Sequence, residues 1–218
     1  MLSFESYRSA VFDCDGVILD SNGLKSSAFR AALAGELPIL VDEFIEYHQS
    51  HGGISRYVKF DHFFRVMKGT ADYASETKGA LQRYAEICER GLLECALIPG
   101  ITETLLNMRS LGVDCYVVSG GDQEEVRAAL TDRGLAQYFA GIYGSPRNKM
   151  EHLGDLAKAG LSMPAVYFGD AESDCKAANQ YGLDFIYISG RSEWRGGEAA
   201  CRAAGHPVYQ DFEQLMGI

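Results

Sequence analysis

No stretch of the 218-residue sequence approaches the roughly 18 apolar residues of a membrane span. Met1 to Ala10 carry Glu5 and Arg8 and lack the apolar core of a secretion signal. Basic side chains are outnumbered: formal net charge is −10. That argues against nucleic acid or an anionic membrane as partner, since both need a basic surface. It leaves an anionic small molecule open, because charge inside a cleft can oppose the global sign. The six cysteines, at 14, 88, 95, 115, 175 and 201, include no C-x-x-C pair. They read as reduced, small apolar side chains of a cytoplasmic protein. Internal repeats and low-complexity tracts are also missing. What remains is an ordinary globular balance, 47% hydrophobic and 23% charged. The length permits one large domain or a domain plus an insert.

The chain is organised around Val11-Phe12-Asp13-Cys14-Asp15-Gly16-Val17. Arg8 to Phe12 is short and apolar, like a buried strand of a parallel sheet. Two carboxylates at i and i+2 follow, then a glycine that turns the chain. Acids at a strand's carboxyl end point into the crevice where open α/β sheets bind ligands. On one face of a strand Asp13 and Asp15 repel each other, and such pairs persist where a cation or a reaction needs them. The ordinary alternative is an Asx turn closing the strand.

From 21 to 92 only helical spacing is visible. Asn22 to Ala34 carries the stripe Leu24, Ala28, Ala31 and Ala32. Val41 to His48, Ile54 to Met67 and Tyr73 to Leu93 continue the pattern, broken by His51-Gly52-Gly53 and Gly69. Tyr57, Phe60, Phe63 and Phe64 are expected to form the core of this block. After Pro99-Gly100 the pattern alternates. Buried strands are expected at Val113 to Val118, Gly141 to Tyr143, Ala165 to Phe168 and Phe185 to Ile188. Helices lie between them, and Pro207-Val208-Tyr209 forms a short last strand. Alternation predicts a doubly wound parallel α/β sheet with right-handed crossovers. Because the first strand precedes the helices, an all-helical domain at 21–92 is inserted into a core of 1–20 and 93–218.

Three later strand ends carry chemistry. Ser119-Gly120-Gly121-Asp122 reads as a turn whose hydroxyl sits before helix amides, a nascent phosphate site or a plain N-cap. Lys149 opens a helix, where its charge opposes the macrodipole unless an anion compensates; a solvated lysine is the alternative. Gly169-Asp170-Ala171-Glu172-Ser173-Asp174 sets acids at i and i+4 after a buried strand, or is simply an acid-rich helix start. Each ordinary reading stands alone; four of them at the ends of one sheet do not arise readily by chance.

D-x-D-G-V-x-x-D-S at 13–21, Ser119, Lys149 and G-D-x-x-x-D at 169–174 resemble, in order and spacing, the four motifs of the haloacid dehalogenase-like hydrolases. The block at 21–92 resembles the cap that one branch inserts after the first motif. The resemblance implies Asp13 as nucleophile and Asp15 as general acid and base. It implies Mg²⁺ held by Asp13, the Asp15 carbonyl and Asp170, with Asp174 as ligand or orienter. Ser119, Gly120 and Lys149 would bind phosphoryl oxygens. The implied substrate is a small phosphorylated metabolite, a sugar phosphate or a phosphoglycolate-like ester. The protein is expected to be a cytoplasmic monomer or small homo-oligomer.

Asp15 separates branches of the family. Those removing halide from 2-haloacids lack an aspartate there, and so does the phosphonate-cleaving branch with its Schiff-base lysine, despite Lys25, Lys59, Lys68 and Lys78 here. A phosphomutase of the β-phosphoglucomutase type shares all four motifs and is the alternative. A phospho-receiver domain shares the Asp, Ser and Lys but has no helical insertion. Specificity is expected in the helical block, where Gly53-Ile54-Ser55-Arg56 resembles a loop bringing an arginine to the substrate. The alternative is a helix start with Arg56 solvated. His51 reads as structural or solvated.

Overall fold

The computed structural model describes residues 4–218; the first three residues of the segment assigned to the core lie outside them. Ser9–Phe12 forms β1, four residues buried throughout. β2 is Asp114–Asp122, β3 Phe139–Ser145, β4 Ala165–Gly169, β5 Asp184–Ile188 and β6 Val208–Tyr209. They make one sheet in the order β3-β2-β1-β4-β5-β6, every neighbouring pair parallel. β1 is central because it is apolar on both faces. Phe12 packs with Phe168 and Phe212 on one side, while Val11 and Tyr167 face Leu153, Phe185 and Tyr187 on the other.

The register decides where the chemistry lies. Phe12 pairs with Val117 on one side and Phe168 on the other. Asp13 and Asp170, one residue beyond β1 and β4, and Ser119, within β2 two residues past Val117, therefore lie along the same edge. The strand order also reverses direction here, with β2 and β4 flanking β1, the position at which open α/β sheets hold ligands.

Helices fill the chain between β1 and β2: α1 Asn22–Ala32, α2 Pro38–Ser50, α3 Arg56–His62, a π-helical turn at Phe63–Met67, and α4 Ala74–Glu94, before α5 Ile101–Ser110. Among the described residues no strand lies between Phe12 and Asp114, only isolated bridges. Phe29, Phe44, Phe60 and Tyr84 pack ring to ring in this block. Of the expected core aromatics, Phe60, Phe63 and Phe64 are buried. Tyr57 is not: it is 38% exposed and its hydroxyl donates to Asp122 at 2.7 Å. Position 57 falls outside the stripe 56, 59, 60 and 63 that a helix turns inward.

A second difference concerns residues 119–122. The strand runs through them, past an irregularity between Val118 and Asp122, instead of turning. α6, Gln123–Asp132, is capped by Asp122, whose carboxylate accepts from the amides of Glu124 and Glu125. Ser119 is thus no helix cap. It is fully buried, its hydroxyl accepting from the Gly121 amide at 3.0 Å. α7 Lys149–Lys158, α8 Glu172–Tyr181, α9 Gly197–Ala203 and α10 Phe212–Met216 complete the fold. Asp211 caps the last.

Candidate active site

Asp13 extends β1 by one residue; its amide donates to Phe168 O at 2.9 Å, and Cys14 N donates to its Oδ1 at 2.7 Å. Its Oδ2 lies 2.9 Å from Lys149 Nζ. Lys149 sits in the first turn of α7, where Asn148 and Glu151 form a capping box. The lysine is buried, and two acids justify its place: it also closes a tight ion pair with Asp174. Burial alone would lower its pKa, but the neighbouring Asp13 and Asp174 charges raise it.

Asp174 has its acceptor capacity filled. Lys149 and the Tyr167 hydroxyl reach Oδ1, and the amides of Asp170 and Ala171 reach Oδ2 at 3.2 and 3.0 Å. Four donors saturate the lone pairs of a carboxylate. Asp170 is freer: Asn22 Nδ2 donates to its Oδ2 at 2.7 Å. One carboxylate oxygen from each of Asp13, Asp170 and Asp174 falls within 4.8 Å of the others. Three buried acids share one lysine, so charge is out of balance. Burial pushes Asp13 up to about 7, with Lys149 opposing and Asp174 and Asp15 adding to the rise. Burial, then Asp13 and Asp174, push Asp170 well above the ordinary range. An all-oxygen, anionic donor set of this kind fits a hard divalent cation such as Mg²⁺.

Gly16 allows this crowding. It has φ 76°, and a Cβ there would lie 2.3 Å from Asp170 Oδ2. Asp15 is not one of the three clustered acids. Asp15 Oδ2 is 2.5 Å from Lys25 Nζ, and Ser21 Oγ donates to Oδ1. Burial works to raise Asp15, but Lys25 and Ser21 overcome it, and its pKa is lowered.

The site is roofed by the helical block. A cavity of about 50 Å³ is lined from the core by Asp13, Asp15, Gly120, Asp170 and Glu193. From the block it is lined by Lys25, His48, Gly53, Arg56 and Lys59. The His51-Gly52-Gly53 loop lies directly on Gly120 and Ser173: a Cβ on Gly120 would meet Gly53 O at 2.2 Å, and Ser173 Oγ donates to Gly52 O at 2.9 Å. Arg56 lines the cavity, but both of its terminal nitrogens meet the Glu125 carboxylate of α6, and its guanidinium lies 4.6 Å over the Tyr84 ring. His51 is exposed, its Nδ1 near Tyr47 O at 2.8 Å.

Sequence reasoning passed over Lys25, Asn22 and His48 as parts of this site and put Lys59 only behind Arg56, beside His51, as a residue that could read the substrate. A signal existed for two of them. Lys25 falls on the α1 face that Ala28, Phe29 and Ala32 bury, and Lys59 on the α3 face of Phe60. A lysine inside a buried stripe is costly unless a site needs it. Glu193, on the loop after β5, carried no pattern at all.

Residues 10–188 match the family model described as haloacid dehalogenase-like hydrolase. A phosphoglycolate phosphatase of Rhodobacter capsulatus is 26% identical over 220 residues, covering 95% of this chain and 94% of the relative. Among solved structures, a predicted phosphoglycolate phosphatase from Haemophilus somnus superposes with TM-score 0.77 at 17% identity, covering 97% of each chain. The β-phosphoglucomutase of Clostridium difficile superposes with TM-score 0.73 at 17% identity, covering 96% of this chain and 93% of the other.

Proposed function

Because the chain belongs to the haloacid dehalogenase-like hydrolases, we propose that it hydrolyses the phosphate monoester of a small metabolite, of the phosphoglycolate type, with Asp13 as nucleophile. The observation that carries this reading is the Asp13 carboxylate at the end of β1, 2.9 Å from Lys149 and clustered with Asp170 and Asp174. The named relative supports the substrate class, and the helical block at 21–92 is read as a cap over the site.

Asp13 Oδ attacks phosphorus, a phosphorus–oxygen bond to Asp13 forms, and the ester bond to the alcohol oxygen breaks. Asp15 gives that oxygen its proton. Water then attacks phosphorus, losing a proton to Asp15, and the bond to Asp13 breaks to release phosphate. Lys149, Ser119 and the Gly120 backbone oppose the growing charge on the phosphoryl oxygens. Asp13 and Asp170, with the Asp15 carbonyl, would hold Mg²⁺; the saturated Asp174 orients Lys149 and the amides of Asp170 and Ala171. Bound there, the metal would neutralise the acids that otherwise repel an anionic substrate.

Asp13→Asn keeps the side chain's shape and removes the nucleophile. Turnover of phosphoglycolate and of p-nitrophenyl phosphate with Mg²⁺ should fall by several orders of magnitude. Near-normal turnover in that variant would mean that another residue attacks. The phosphomutase reading rests on the superposition with β-phosphoglucomutase. Transfer from a sugar bisphosphate faster than release of inorganic phosphate would favour it.

A further inference from the structure

Opposite the acid cluster, the roof of the cavity carries a pair of side chains that the steps above do not use. Lys59, on α3, is 2% exposed, and His48, on α2, is 7% exposed. Lys59 Nζ donates to His48 Nδ1 at 2.7 Å and to His48 O at 3.2 Å. Accepting at Nδ1 makes His48 the tautomer that carries its proton on Nε2. That Nε2 has no hydrogen-bond partner in spite of its burial. An ammonium has three donors, so Lys59 keeps one beyond the two given to His48. Among the described residues no carboxylate makes an ion pair with Lys59. Glu193 comes nearest in charge, but its Oε1 accepts from Ser26 and Gln49, and its Oε2 lies 3.8 Å from His48 Nε2. Two buried donors without partners, both on cavity-lining residues, form a site for a group with two acceptor oxygens.

We propose that Lys59, positioned by His48, binds a carboxylate on the alcohol portion of the phosphate ester and so selects carboxylate-bearing substrates. The inference rests on the phosphatase reading and assigns the residue that reads the leaving group. A carboxylate presents two oxygens to the Lys59 ammonium and the His48 Nε2 proton. Arg56, the other cation of α3, is already paired with Glu125. Burial pulls Lys59 down to about 7, with Glu193 and Asp15 opposing and Lys25 and Lys149 assisting. An incoming carboxylate would hold the proton on it.

The test compares phosphoglycolate with 2-hydroxyethyl phosphate, which is similar in length and has a hydroxymethyl group in place of the carboxylate. In K59M the ratio of kcat/KM for the two esters should fall by about 10- to 150-fold, the range of a buried charge-assisted hydrogen bond. K59R should recover part of the ratio by restoring the charge. The wild-type protein supplies a measurement that needs no variant: the ratio should decline as pH rises through about 7. The titratable and charged neighbours facing Lys59 there are the neutral His48 from α2, Lys25 from α1, Asp15 after β1, Glu193 after β5 and Lys149 from α7. An equal loss on both esters, or a pH-independent wild-type ratio, overturns the Lys59 assignment and leaves the phosphatase reading standing. A wild-type protein that turns over neither these esters nor p-nitrophenyl phosphate overturns that reading, and the inference with it.

Discussion

The two sides of the cavity are built by opposite rules. On the core side, the acids Asp13 and Asp170 stand one residue beyond their strands, anchored by backbone ladders of the central sheet. On the roof, the cations Lys25, Arg56 and Lys59 project from the buried faces of short helices. Strand ends of one sheet hold atoms in fixed register, which suits bond making. Helices packed through Phe29, Phe44 and Phe60, read as a cap, would shift as a body to admit a substrate. Negative charge concentrates on the floor and positive charge on the roof. An anionic ester therefore needs both: the roof to attract it and a metal to make the floor tolerable.

The largest expected effect falls on the floor alone. Chelating Mg²⁺ should abolish turnover of every ester, whatever its leaving group. It should also expose the charge imbalance as a function of pH. Asp13 is pushed up to about 7 and Asp170 also upward, so the metal-free folded protein binds protons there that the unfolded chain has released. That contribution to stability is present at low pH and lost as pH rises through about 7. The metal takes the protons' place, so the rise in Tm on adding Mg²⁺ should be small at pH 5 and larger at pH 8. His48, lowered to about 2 by burial, pulls the other way below pH 6.5, but equally with and without metal. A metal-induced rise that is flat or shrinking with pH would place the cation elsewhere.

A smaller effect should come from the contact that joins floor and roof at Asp15, the proposed acid–base residue. Lys25 holds Asp15 as a carboxylate, whereas the first step as proposed needs Asp15 protonated. The pair must therefore part when substrate enters. In Lys25→Met the partly buried Asp15 loses its cation, and its pKa rises. The limb of the kcat profile belonging to Asp15 should move toward higher pH. The change should be greater for phosphoglycolate, a poor leaving group, than for p-nitrophenyl phosphate. An unmoved profile would assign the acid–base role to another group.

The same division explains what could be read from the sequence. A four-residue apolar run followed by an acid announces its own strand end, so Asp13 and Asp170 were legible from local pattern. Ser119 was legible as a position but not in its conformation, because the strand continues through a bulge that two glycines do not signal. Roof residues were harder. Lys59 meets His48 from eleven positions away, and Glu193 reaches the cavity from a loop after β5. Such meetings are fixed by helix packing, which periodicity locates only to a face.

Arg56 distinguishes the two halves most finely, and its effect should be the smallest. If it reads substrate, as the Gly53-Ile54-Ser55-Arg56 pattern suggests, Arg56→Ala should injure phosphoglycolate turnover and spare p-nitrophenyl phosphate. Its contacts favour a clasp instead. The guanidinium lies over Tyr84 of the roof and is bidentate to Glu125 of the core, so it ties one half to the other beside the cavity. Glu125 is partly exposed, so the pair contributes only about 1.5–3 kcal/mol, the range of hydrogen bonds to charged groups. Arg56→Ala and Glu125→Ala should then lower Tm to a similar degree, and the double variant should lose little more than either single one. KM should rise by a similar factor for both esters, because what is weakened is closure and not recognition. Arg56→Lys should not restore stability, since an ammonium cannot make the bidentate, stacked contact. Selective loss of phosphoglycolate turnover in Arg56→Ala, absent from Glu125→Ala, would return Arg56 to the substrate.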